Sequence, residues 1–309
     1  MVNGPNRSRA QPRTLRELAI RFAIAIVLAT PAFPQGSGAG PSEAELAKAS
    51  QNPVADLVSL PLQYNYYTAG GLGQNSQMVL NVQPVLPLSM GKRWLLVSRT
   101  IVPFVSIPIA NTIRTGGTAD IQEQAYFTAA KPGKVTWALG PIFSFPTATN
   151  RIVRTGQWGL GPTAVVLVMP GPWVIGALAN NVWRIGGDAQ GHVLNTFTTQ
   201  PFINFNLPFA WSITTAPIIT ADWSAGEGQK WTVPIGIGVG KITHIGTQAM
   251  NFGMQYYHNL NHPSVAGAEQ MRFQATLLWP TAAAASAPIR CVMRCCRSTP
   301  PSPPARDSD

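Results

Sequence analysis

The chain has 309 residues, 45% of them hydrophobic and only 11% charged, with 28 Gly, 28 Pro and 9 Trp. A soluble globular protein carries about 25% charged residues, so this supply is too small for an ordinary cytosolic enzyme, and the hydrophobic content excludes a disordered chain. The formal charge of +10 lies mostly at the ends, with Arg7, Arg9, Arg13, Arg16 and Arg21 before residue 32 and Arg290, Arg294, Arg297 and Arg306 after residue 281; no clustered basic face remains for a nucleic-acid partner.

Residues 1–32 read as an export signal: five arginines precede the apolar stretch 22–29, which is too short for a membrane helix. Cleavage falls near residue 32 or as late as 39. The alternative, an amphipathic helix of the mature protein, is opposed by Pro31, Pro34 and the glycine-rich run that follows. Residues 33–56 form a linker, within which 43–52 have helix-forming composition and stop at Pro53. That segment is a candidate plug or periplasmic cap.

From residue 57 to 280 the chain reads as strands. Runs of about ten residues separated by turn signals occur at 57–67, 77–88, 94–106, 119–129, 134–146, 158–169, 172–184, 194–207, 210–223, 231–242, 248–259 and 269–279, which predicts about twelve strands. Within 78–88, Met78, Leu80, Val82, Pro84 and Leu86 oppose Val79, Asn81, Gln83 and Val85. Within 196–207, Phe197, Ile203, Phe205 and Leu207 oppose Thr196, Thr198, Gln200, Asn204 and Asn206. In 211–223 Trp211, Ile213, Ile219 and Trp223 share a face, while Ser212, Thr214 and Thr220 share the other. In 248–259 Met250, Phe252, Met254 and Tyr256 oppose Asn251, Gly253, Gln255, Tyr257 and Asn259. In 269–279 Met271, Phe273, Ala275, Leu277 and Trp279 oppose Gln270, Arg272, Gln274 and Thr276. An arginine among lipid-facing apolar positions is costly, so Arg272 must face inward.

Trp211 and Trp223 are 12 residues apart, about 40 Å of strand, or about 30 Å along the membrane normal at a tilt near 40°. That matches the two aromatic belts of a bilayer, with Trp279 as a further belt candidate. Short turns at 131–133, 169–172 and 207–209 alternate with longer polar connections, as in outer-membrane barrels. The expected fold is therefore an all-β antiparallel transmembrane barrel of the bacterial outer membrane. Its partners are the membrane lipid, the barrel insertion machinery and a small solute. A secreted soluble sandwich or barrel is the alternative, but its polar faces should carry Lys, Glu and Asp, whereas these carry amides and hydroxyls. Glu123 shares a face with Ile121, Ala125 and Phe127 and is costly there if that face meets lipid.

Residues 281–309 change composition abruptly and read as a disordered tail of doubtful origin. Cys291, Cys295 and Cys296 all lie in it, leaving the body without a thiolate site. Catalytic motifs fail inspection: the glycines at 236, 238 and 240 before Lys241 miss the phosphate-loop spacing, and His258 and His262 are four apart but next to Pro263. No catalytic, cofactor or metal residue is assigned, and the chain is not expected to be an enzyme.

Several runs carry a family resemblance. They are Leu46-Ala-Lys-Ala-Ser-Gln-Asn-Pro-Val-Ala-Asp-Leu-Val-Ser-Leu-Pro-Leu-Gln63, Asn81-Val-Gln-Pro-Val-Leu-Pro87, Arg99-Thr-Ile-Val-Pro103, Ala130-Lys-Pro-Gly133 and Trp158-Gly-Leu-Gly-Pro-Thr-Ala-Val-Val-Leu167. Further ones are Pro170-Gly-Pro-Trp-Val-Ile-Gly-Ala-Leu178, Gln200-Pro-Phe-Ile-Asn-Phe-Asn206, Ala216-Pro-Ile-Ile-Thr-Ala-Asp-Trp223 and Trp231-Thr-Val-Pro-Ile-Gly-Ile-Gly-Val-Gly-Lys241. Together, over about residues 45–280, they resemble the bacterial outer-membrane transporters described as "MetA-pathway of phenol degradation", some of which bear the label neuromedin U. The resemblance implies a barrel that conducts small, often aromatic or apolar compounds. One departure is that Pro280 and the tail follow Trp279, the terminal aromatic that insertion machinery would read.

The sequence therefore predicts passive passage through a narrow lumen. Asn81, Gln83, Gln200, Asn204, Asn206, Asn251, Gln255 and Gln274 are the candidate lining amides, and Arg99 and Arg272 would bias it towards anions or neutral molecules. The alternatives are a non-conducting structural or adhesion barrel and a lipid-modifying enzyme.

Overall fold

The computed structural model describes residues 42–68, 76–109, 113–188, 192–264 and 266–280. The expected signal segment, the first part of the linker and the 281–309 tail with its cysteines lie outside the described residues.

Ser42 opens helix α1, Glu43–Gln51, with a capping box. The Ser42 hydroxyl accepts from the Glu45 N–H at 3.3 Å, and the Glu45 carboxylate accepts from the Ser42 N–H at 2.8 Å, so two otherwise orphaned helix donors are satisfied. Asn52 and Pro53 end it.

All strands belong to one antiparallel sheet that closes on itself. Twelve barrel strands follow in chain order: β1 is Leu57–Tyr67; β2 is Gln77–Val82 and Val85–Met90; β3 is Trp94–Pro108; β4 is Arg114–Thr118 and Ile121–Ala129; β5 is Val135–Phe145; β6 is Gln157–Val168. The circuit continues with β7, Trp173–Gly187; β8, Asn195–Asn206; β9, Trp211–Thr215 and Ile219–Asp222; β10, Trp231–Ile245; β11, Gln248–Asn261; and β12, Glu269–Pro280. The first and last strands pair, with Val58 opposite Trp279 and Asn65 opposite Arg272. Closure leaves no edge of unpaired backbone groups, the condition a bilayer imposes.

The strands match the expected runs closely, with local differences of clear origin. Strand β2 breaks at Gln83 and Pro84, where the Gln83 N–H donates to Pro61 O and Pro84, lacking an N–H, only accepts, from Thr100. Strand β9 breaks across 216–218, around Pro217. Strand β4 begins at Arg114, five residues before the expected start, because 114–118 extends the pairing with β3 beyond the barrel body.

The alternation places apolar side chains on the outer wall. Leu139, Val166, Ile203, Ile213, Ile237 and Phe273 are exposed, whereas Gln63, Asn65, Thr163, Asn204, Gln270 and Arg272 are buried inside. This is inside-out relative to a soluble barrel. One end carries the short turns, the two chain ends of the barrel and α1; the other carries the long connections. In outer-membrane barrels the short turns face the periplasm.

The nine tryptophans fall into two groups. Trp94, Trp137, Trp173, Trp211 and Trp279 lie near the short-turn end, and Trp158, Trp183, Trp223 and Trp231 near the long-loop end. Neighbours touch edge to face: Trp94 and Trp137 at 6.3 Å, Trp223 and Trp231 at 5.5 Å. Such offset contacts suit the aromatic quadrupole.

Candidate functional site

The interior is divided between two kinds of wall. On the inner face of β3–β8, Leu95, Val97, Tyr126, Ala138, Val165, Leu167, Val174, Leu178 and Phe202 form a buried apolar cluster, joined by Val54 from the segment after α1. Sequence reading anticipated a polar lumen throughout. Runs such as 163–168 and 173–179 are apolar on both faces, so their inward side chains could not be separated by period.

The wall formed by β11, β12, β1, β2 and β3 carries a hydrogen-bonded relay. Arg99 donates to Gln83 Oε1, Gln83 donates to Gln63 Oε1 at 3.1 Å, and Gln63 donates to Asn65 Oδ1 at 3.1 Å. Asn65 Oδ1 also accepts from Gln270 at 2.9 Å and from Arg272 Nε at 3.1 Å. Arg272 Nη1 continues to Ala216 O at 2.9 Å and Gln255 Oε1 at 3.1 Å, and its guanidinium stacks over the Tyr257 ring at 4.9 Å. An arginine at each end thus fixes the direction in which every amide between them points. Neither arginine meets a carboxylate among the described residues, and Arg272 Nη2, fully buried, has no partner there. Two positive charges therefore stand inside the barrel against neutral oxygens and one aromatic face.

Glycines make room for this wall. A Cβ on Gly236 would lie 2.6 Å from the Tyr257 ring, and one on Gly238 would lie 2.5 Å from Gln255 Cγ. The glycine run that superficially suggests a phosphate loop instead lets β10 pass tightly behind the two side chains that hold Arg272.

Two cavities stack along the barrel. The one next to α1 has a volume of about 180 Å³, and Ala49, Ser50, Gln51 and Asn52 form its floor. The other, towards the long loops, has about 390 Å³ and reaches Asn81, Gln124, Asn180 and Thr198. Gln63, Gln83, Arg99, Leu178 and Gln200 line both, so they form the waist between them. Beyond, a vestibule of about 540 Å³ is lined by Arg151, Arg154, Thr155, Gln157, Asp188 and His192.

Helix α1 sits in the short-turn mouth. Leu46 and Ala47 pack on the inward Leu57, Ala210, Ile242, Ala249 and Leu278. Gln51 and Asn206 exchange amide hydrogen bonds of 2.9 and 3.0 Å, and Asn251 donates to Ser50 Oγ at 3.1 Å. Outside the barrel strands, the Glu45 carboxyl is held below the usual glutamate range, chiefly by the Ser42 N–H and then by the Ser42 hydroxyl.

The expected lining residues occupy distinct places. Asn81 faces the upper cavity; Asn204, Asn251, Gln255 and Gln274 face the lower one; Gln83, Arg99 and Gln200 face both. Asn206 is taken up by α1 and by Pro172 O. Arg272 points inward yet its guanidinium is covered, so it shapes the wall from behind. Trp211 and Trp223 project outward from β9, 45% and 43% exposed, and Trp279 lies opposite Val58 on β12. Gln63, Asn65 and Tyr257 are central to the site. The signal for the first two was the amide alternation inside 57–67; Gln63 bonds to the nearby Asn65 and Gln83, whereas Gln270 and Arg272, the partners of Asn65, are 205 and 207 residues away and were not readable.

Glu123 does lie on the outer face, with Phe127. Its two oxygens accept from the hydroxyls of Ser98, at 2.6 Å, and Thr100, at 2.5 Å, on β3. The histidines near strand ends face carboxylates: His258 meets Glu269 at 2.7 Å and His192 meets Asp222 at 3.0 Å.

No protein-family model matches this chain, and no curated protein matches it. Solved structures do. An outer membrane channel from Pseudomonas putida F1 superposes with a TM-score of 0.57 at 11% identity, covering 80% of this chain and 99% of that one. The NanC porin gives 0.45 at 10% identity, covering 71% and 98%, and the CymD monoaromatic hydrocarbon channel gives 0.40 at 8%, covering 79% and 93%. The first of these superpositions establishes a shared barrel fold.

Proposed function

We propose that this protein is a bacterial outer-membrane channel that passes small solutes by diffusion along its polar wall. The observation that carries the reading is the pair of stacked cavities that share Gln63, Gln83, Arg99, Leu178 and Gln200 as a common waist. The apolar outer wall and the tryptophans near both of its ends support placement in a bilayer. The runs that resemble the phenol-degradation transporters support the same reading and favour small aromatic or apolar cargo.

In this mechanism the relay does not react with solute. It holds amide oxygens and the Arg99 guanidinium at fixed positions, replacing part of a solute's hydration as it crosses the waist. Helix α1 is the plug at the periplasmic mouth, and its displacement widens the path. Refolded protein in planar bilayers and swelling liposomes tests the proposal: current and solute uptake by the folded barrel are expected, and a folded barrel without either would refute it.

A non-conducting structural barrel is the second reading. It is favoured by the apolar cluster that fills the β3–β8 side together with the docked α1.

A further inference from the structure

We propose that the cavity above α1 is a binding station for a small organic anion with an apolar body, of the chemical class of an aromatic monocarboxylate. The inference rests on the channel reading and narrows its cargo. Arg99 reaches both cavities at the waist, and among the described residues no carboxylate lies within ion-pair distance of it. The one acid among the described residues lining the two cavities, Asp120, is already saturated. Its Oδ1 accepts from the Ala148 N–H at 2.9 Å, and its Oδ2 accepts from the Thr155 N–H at 3.0 Å and the Thr155 hydroxyl at 2.5 Å. A charge held this way favours an anion that arrives from outside.

The rest of the cavity defines the anion. Val85, Leu178 and Phe202 present hydrocarbon to the same cavity, beside Gln83 and Gln200. An inorganic anion would leave that hydrocarbon wet, and a neutral apolar compound would leave Arg99 without a counter-charge. The volume of about 180 Å³ suits a single ring, since an apolar cavity of roughly 150 Å³ accommodates benzene. Arg151 and Arg154 at the vestibule extend the positive potential to the outer mouth, where it steers anions inward.

The test uses full-length mature protein, shown to be folded by heat-modifiable migration, in equilibrium dialysis with labelled benzoate. Saturable binding is expected, stronger than for acetate or benzyl alcohol. Arg99→Gln should weaken it about tenfold, the loss of one charge-assisted contact, Arg99→Lys less, and the exposed-turn variant Lys131→Gln not at all. Absence of saturable binding, equal affinity for benzyl alcohol, or an unaffected Arg99→Gln would each overturn the proposal. Conductance measured in parallel separates the two readings: current without benzoate binding defeats only the station, whereas benzoate binding without current defeats the channel.

Discussion

The inner face of β3–β8 and the inner face of β11–β3 are built by one strand pattern yet solve opposite problems. The first is packed with hydrocarbon from Leu95 to Phe202 over part of its length and turns polar at Gln124, Asn180 and Thr198, which line the cavity towards the long loops. The second keeps amides and two arginines linked by a run of hydrogen bonds from β3 to β11. A uniformly polar lumen of this girth would be wide and weakly determined. Filling part of one side with side chains narrows the interior of a twelve-stranded barrel.

The sharpest way to break the polar side is Asn65→Ala. Its carbonyl is the shared acceptor for Gln63, Gln270 and Arg272. Removal leaves Arg272 Nε and the buried Gln63 and Gln270 amides without their acceptor, while Nη1 keeps Ala216 O and Gln255; the summed loss is on the order of 3 to 5 kcal/mol for one charge-assisted and two neutral donors, read from denaturant unfolding in detergent, with altered conductance in whatever folds. The matching change on the apolar side is Leu167→Ala, at a residue 1% exposed. It should cost about 2 to 5 kcal/mol by cavity formation and leave ion selectivity unchanged. Equal shifts in selectivity from both variants would erase the distinction between the walls.

A smaller effect probes the outer face. Glu123→Gln keeps one acceptor oxygen and offers an NH2 to the other hydroxyl, which turns to accept it, while removing a charge from the lipid side, so a gain of about 1 to 2 kcal/mol is expected in lipid; a loss would place that face outside the hydrocarbon. The smallest effect concerns α1. The lowered Glu45 pKa means that its capping stabilises the helix above the unfolded-state value of roughly 4.3. That contribution fades as pH falls through the lower folded-state value. Acidification through and well below the ordinary glutamate range should therefore loosen the first turn of α1 and raise conductance modestly; conductance that stays constant over that fall would count against α1 as the plug.

Much of this architecture was legible because a membrane barrel writes its two solvents into alternate residues. In 211–223 and 269–279 the outward and inward sets follow the period throughout, and the inward turn of Arg272 follows from the cost of a charge in lipid. The apolar side was illegible because strands such as β6, apolar on both faces, carry no period to read. The relay was hidden for another reason: Asn65 and Arg272 are 207 residues apart, and only closure of β1 on β12 makes them neighbours. Glu123 was readable as an anomaly, but the Ser98 and Thr100 hydroxyls that receive it depend on the β3–β4 register.

The most direct measurement is single-channel current through the folded barrel, compared between the unaltered protein, Gln200→Trp at the waist and Ala138→Leu within the apolar cluster. The account predicts discrete conductance that Gln200→Trp sharply reduces and Ala138→Leu leaves in place. A silent barrel, or a current indifferent to bulk at the waist, would contradict it.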